Sequence, residues 1–217
     1  MALKNLLKRM LGRLGLWHGV SLVRQVPSIL RWLAAGCTGA APHAVKMMAV
    51  RAHVRPFGLR SFVETGTYMG DTLAYLAATG IDCASIELSP ELHQAARRRF
   101  AGARNVRLIE GDSGIRLPEM LPDIHHPVLF WLDGHYSAGV TASAELHSPI
   151  SAELLAILRH PVKQHVILID DARCFDGSNG YPHIDELLRV VREDGNYAAE
   201  VSIDIIRLIP RAAAAQR

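Results

Sequence analysis

The chain has 217 residues, 49% of them apolar and 21% charged, with a formal net charge of +3. That length suits one medium domain plus an appendage with a sizeable core, and no apolar run reaches transmembrane length. Cys37, Cys83 and Cys174 are too few and too widely spaced for a fully paired disulfide framework or a CxxC metal knuckle, so reduced thiols in a cytoplasmic protein are expected.

The charge is unevenly spread. Ten Lys and Arg residues and no acid precede Glu64, whereas the remainder holds 14 basic against 21 acidic residues. Two segments with different tasks are implied. In the first, Leu3, Leu6, Leu7, Met10, Leu14 and Trp17 recur at helical spacing among Lys4, Lys8, Arg9 and Arg13, which predicts a basic amphipathic helix. The distributed charges and the lack of a clean apolar centre argue against a secretory signal, whereas a mitochondrial transit peptide shares this composition. Such a helix either lies on anionic lipid at the membrane inner face through residues 1–35, or packs its apolar stripe on the domain or a second subunit. Residues 36–42 are small and turn-prone, so residues 1–42 are read as an arm and 43–217 as the main domain. A short helix is expected from His43 to His53.

From Ser61 onward, short apolar runs at 61–65, 83–88, 106–110, 127–132 and 165–169 alternate with helix-like stretches at 70–79, 90–101 and 145–158; a further helix follows at 181–193. Runs this short between helices indicate parallel strands buried on both faces. Residues 197–210 predict two more strands around a tight turn near Ile203–Asp204. The expected fold is a three-layer α/β sheet, mostly parallel with an antiparallel C-terminal strand, which places ligands at the carboxyl ends of the strands.

The first strand leads into Glu64-Thr65-Gly66-Thr67-Tyr68-Met69-Gly70, a tight glycine turn before a helix. A dinucleotide fingerprint needs a middle glycine beside the pyrophosphate; Thr67 and Tyr68 stand there instead, and the acid at position 64 would repel a pyrophosphate. An NAD-dependent oxidoreductase is therefore the weaker reading. A carboxylate suits a cationic amine, such as the methionyl end of S-adenosylmethionine. The second strand ends on Glu87, placed to accept ribose hydroxyls, with Ser89 as helix cap; the third ends on Glu110-Gly111-Asp112-Ser113, within reach of an adenine amino group.

With these strings in place (FVETGTYMGDT, IELSPEL, EGDS, FWLDGHYSAG and ILIDDARCF), residues 61–175 resemble the class I, Rossmann-like methyltransferases. The resemblance implies S-adenosylmethionine as cofactor, bound by Glu64, Thr65, Gly66, Gly70, Thr72, Glu87, Leu88, Asp112, Ser113 and Asp133. The fourth and fifth strands end in Asp133-Gly134-His135 and Asp170-Asp171, and clustered carboxylates demand positive charge, from Arg173 or from a hard cation such as Mg²⁺. The arrangement is similar to that of metal-dependent sugar O-methyltransferases of macrolide and aminocoumarin pathways. By that resemblance Asp133, Asp170 and Asp171 bind metal, and Asp133 and His135 are catalytic; His135 stands where that family has an aspartate. An imidazole with an ordinary pKa near 6.5 can take a proton from a hydroxyl. His125 and His126 lie at the other end of the fourth strand and are expected at the surface. Residues 137–150 are rich in small side chains and suggest a lid.

The expected activity is methylation of a small hydroxylated acceptor, a sugar, glycoconjugate or natural product. A non-catalytic scaffold that dimerises or sits on membranes is supported only by the arm. Nucleic acid is not an expected partner, because the site-bearing portion is acidic. A homo-oligomer is compatible with the arm.

Overall fold

The computed structural model describes residues 17–133 and 149–214. The first predicted amphipathic stretch, 3–17, lies almost wholly outside them, as do His135 and nearly all of the expected lid. The described chain opens with helix α1 (Trp17–Ala34) and α2 (His43–Ala52), separated by the turn-rich residues 35–42. The two are stapled together: the Gln25 side chain accepts the Ala44 N–H at 2.7 Å, so it satisfies an orphan donor in the first turn of α2.

Strands β1 (Ser61–Thr65), β2 (Asp82–Glu87), β3 (Val106–Glu110), β4 (Leu129–Leu132) and β5 (Val166–Ile169) run parallel. They alternate with α3 (Asp71–Ala77), α4 (Pro90–Arg99), α5 (Ser113–Met120) and α6 (Ile150–Arg159). After β5 come α7 (Ile184–Asp194), β6 (Tyr197–Ser202), β7 (Ile205–Pro210) and the short α8 (Arg211–Ala214). The sheet order is β3-β2-β1-β4-β5-β7-β6, with β7 antiparallel to both β5 and β6.

The strands fall within a residue or two of the apolar runs because both faces of β4 and β5 are buried, leaving no room for polar residues. One apolar cluster, containing Phe130, Ile167, Leu154 and Ile157, packs α5, α6 and α7 on one face of the sheet. A second, containing Leu73, Phe62, Trp131 and Val50, packs α2 and α3 on the other. Helix α5 was not anticipated from the sequence: Gly114 and Pro118 give it weak propensity. It forms because the Asp112 carboxylate caps it, accepting the Gly114 N–H at 2.8 Å, and because Leu117 is fully buried. Ser89 caps α4 as expected, accepting the Leu92 N–H at 3.3 Å.

At the amino ends of the strands His126 is exposed and bonds Ser61 at 2.7 Å. Buried His160 and His165 nearby bond each other and the backbone at Leu121 and Val128. This is a structural network at the end of the sheet opposite the candidate site.

Candidate active site

The carboxyl ends of β1 to β5 converge on one edge of the sheet. Glu64 is 1% exposed, and its carboxylate accepts a hydrogen bond from the Ser85 hydroxyl at 2.7 Å. Thr67 and Ser85 hydroxyls pair at 2.6 Å, which fixes Ser85 behind the acid. Among the described residues no basic side chain makes an ion pair with Glu64. Burial first, then the negative field of Asp133 and Glu87, pushes its pKa up to about 8. A carboxyl held this way is set to receive a cation.

Gly66 follows at φ 82°. A side chain there would run into the backbone carbonyl of Asp133, so only glycine permits the ends of β1 and β4 to approach this closely. Tyr68 takes the left-handed region at φ 47°, which turns its N–H toward Glu87. The two carboxylate oxygens of Glu87 then divide their work. One accepts the Tyr68 N–H at 2.8 Å and the other the Ser89 N–H at 3.0 Å. Each carboxylate oxygen keeps lone-pair capacity for a further donor.

Gly70 ends the loop at φ 72°, with Phe100 where its side chain would be, and Thr72 is buried in the first turn of α3. Thr65 is fully buried; Asp112 is exposed and Ser113 half-buried at the start of α5. Tyr68, Leu88 and Ile115, from the segments after β1, β2 and β3, are exposed despite their size. Large apolar groups left open at strand ends beside buried acids are what a cleft for a flat, partly apolar ligand presents.

On the other half of the edge, Asp133, Asp170 and Asp171 each offer one oxygen, all within 4.8 Å of one another. Arg173 was the cation expected from the sequence. It bonds Asp171 at 2.6 Å and also reaches Asp204. The larger share falls to Lys46, which sequence reasoning missed. Its Nζ lies 2.5 Å from Oδ1 of both Asp170 and Asp171 and 3.3 Å from Asp204. Burial works against the ammonium, but Asp170 and Asp171 outweigh it and hold its pKa above the ordinary lysine range. Asp170 in turn is raised, first by burial and then by the charge of Asp133. Asp171 sits at φ 53°, and its N–H donates to the Asp170 carboxylate at 2.7 Å.

A signal for Lys46 was present. It lies one helical turn before Val50 on the buried stripe of α2, so a lysine there has to find carboxylates. Asp204 arrives from the β6–β7 turn, where Ile203 and Asp204 both have positive φ.

Glu153 was also missed. It sits on the apolar face of α6 with Ile150, Leu154 and Ile157 and is fully buried. The Thr65 hydroxyl donates to its Oε2 at 3.4 Å, and Ser113 also bonds the carboxyl, while Oε1 has no partner among the described residues. Burial raises its pKa to about 7, with Asp112 and Asp133 adding to the rise.

No protein-family model matches the chain. It is 40% identical over 92 residues to protein-L-isoaspartate O-methyltransferase 1 of Anaeromyxobacter sp. (strain Fw109-5), a match covering 40% of this chain and 42% of that protein. The aligned stretch is thus well under half of that relative. The fold is similar to an O-methyltransferase from Bacillus cereus in complex with SAH, with a TM-score of 0.59 at 17% identity, covering 86% of this chain and 90% of that one. It is likewise similar to the O-methyltransferase TomG from Streptomyces achromogenes in complex with SAM, with a TM-score of 0.56 at 16% identity over 78% and 81% of the two chains. At these identities the likeness is one of fold.

Proposed function

We propose that this chain, which has the fold of the class I S-adenosylmethionine-dependent methyltransferases, transfers a methyl group from S-adenosylmethionine to a hydroxyl oxygen of a small acceptor. The observation that carries the cofactor assignment is buried Glu64, an acid at the end of β1 whose hydrogen-bond partner is a serine hydroxyl. A pyrophosphate in its place would face a carboxylate, whereas a methionyl ammonium would bring a cation to it.

In this reading Glu64 holds the ammonium, with Thr65, Gly66, Gly70 and Thr72 shaping the loop around the methionyl chain. Glu87, already oriented by the Tyr68 and Ser89 amides, accepts ribose hydroxyls with its remaining lone pairs. Leu88 flanks the adenine ring, and Asp112 and Ser113 lie at its amino edge. Bound there, S-adenosylmethionine would supply an electrophilic methyl, a C–O bond to the acceptor forming as the S–C bond breaks, with S-adenosylhomocysteine as the leaving group and the acceptor proton passing to a base. His135 is the base assigned from the sequence; it lies outside the described residues. The chain's contribution is chiefly alignment, since in-line transfer rewards correct placement.

The carboxylate set of Asp133, Asp170 and Asp171 fits a hard divalent cation in the chemistry of its donors, which are all oxygen and converge within 4.8 Å. Those three residues would hold Mg²⁺, and the ion would lower the pKa of a bound acceptor hydroxyl. Lys46 and Arg173 hold Oδ1 of Asp171, and Lys46 also Oδ1 of Asp170, which orients both carboxylates.

The test is transfer of a labelled methyl group to a panel of sugars, glycoconjugates and phenols, with and without Mg²⁺. Label on an acceptor oxygen supports the reading. Label exclusively on nitrogen or carbon acceptors contradicts oxygen transfer, and full turnover in EDTA contradicts the metal.

A further inference from the structure

Helix α1 has two apolar faces, and among the described residues only one is packed. Gln25, Ile29 and Trp32 recur at helical spacing and are half-buried, with Gln25 bonded to α2. Val26, Leu30 and Leu33 recur at the same spacing and are 46%, 60% and 52% exposed. A stripe of three large aliphatic side chains along one helix face is unusual for a surface that meets only water.

The charge of the sequence that carries this stripe is one-sided. The acid-free first 63 residues carry ten basic ones, among them Arg31 on α1 and Arg51, Arg55 and Arg60 just beyond it, all exposed. No described helix is long and apolar enough to cross a membrane.

We infer that the outward stripe of α1 is a docking surface for an anionic lipid bilayer, with the helix lying in the headgroup plane. A bilayer satisfies both features at once: Val26, Leu30 and Leu33 enter the acyl boundary while exposed Arg31 on the same helix meets anionic headgroups. A second copy of the chain would cover the stripe but bring two acid-free basic segments face to face. Nucleic acid would neutralise the charge but leave the aliphatic stripe in water.

The experiment is co-sedimentation of the full chain with phosphatidylcholine vesicles, with and without phosphatidylglycerol. A Val26→Ser/Leu30→Ser/Leu33→Ser variant is run beside the wild type. These positions are exposed and outside the cofactor cleft, so S-adenosylmethionine affinity reports that the variant is folded and should not change.

The wild type should sediment with the phosphatidylglycerol vesicles, lose binding as salt rises, and be weakened about tenfold or more by the triple substitution. Wild type left in the supernatant, or wild type and variant partitioning alike, overturns the proposal. So does self-association in sedimentation velocity that the triple variant abolishes while vesicles are ignored. RNA binding that the serines do not alter, with no vesicle binding, would overturn it equally.

Discussion

Lys46 and Asp170 meet at 2.5 Å, and they join the helix that precedes the sheet to the end of β5 across more than half the chain. Both side chains are about nine-tenths buried. The pair therefore ties α2 to the carboxyl-terminal edge of the sheet and sets the direction of the Asp170 carboxylate.

Removing one partner of a buried ion pair leaves the other without its charge. Lys46→Ala should cost about 3–5 kcal/mol, read as a lowered urea midpoint. Lys46→Arg, which keeps the charge, should recover part of that loss. A Lys46→Ala midpoint equal to wild type would show that the pair does not hold the edge together.

The raised pKa of Glu64 has two consequences of opposite sign. Its folded value of about 8 exceeds the ordinary carboxyl range, so its protonated form is stabilising. That stability is fully present at acid pH and is lost as pH rises through about 8. Binding a cationic amine needs the ionised form, so cofactor affinity should increase as pH rises toward about 8, with proton release on binding. Glu64→Gln should bind more weakly and lose this slope. Calorimetry in buffers of different ionisation enthalpy reads the proton directly.

Glu153 should behave the same way in stability alone. Its folded pKa of about 7 means that stability is present below the ordinary carboxyl range and lost as pH passes neutrality. Glu153→Gln removes the charge and keeps the shape. Above pH 7 it should melt above the wild type, and a melting difference that does not depend on pH would contradict the assignment.

Gly66→Ala should damage both fold and site. The left-handed backbone costs about 1–3 kcal/mol for a side-chain residue, and the added methyl meets the Asp133 carbonyl. Circular dichroism should show a folded but less stable chain with cofactor affinity reduced at least about tenfold, since β1 and β4 can no longer close on each other.

The sheet was legible in the sequence because buried parallel strands leave unbroken apolar runs, as at Leu129–Leu132 and Val166–Ile169. Its strand-end acids were legible for the same reason: Glu64, Glu87, Asp133 and Asp170 each terminate a run. The Ile203–Asp204 turn was placed correctly, yet its role was not, because only the folded hairpin carries Asp204 to Lys46 and Arg173. Lys46 and Glu153 reach the site from helices whose buried faces are otherwise apolar, and a one-dimensional pattern does not say which strand end such a face meets. Helix α5 escaped notice because its stability comes from a cap and from Leu117 packing rather than from propensity.

In the proposed function the acids ending β1 and β2 hold S-adenosylmethionine. This is tested most directly by calorimetric titration of S-adenosylmethionine and S-adenosylhomocysteine into the wild type and into Glu87→Ala. Saturable one-to-one binding to the wild type, weakened about tenfold or more without Glu87, is the predicted result. A folded wild type that binds neither compound, or a Glu87→Ala variant that binds both as tightly as the wild type, would contradict it.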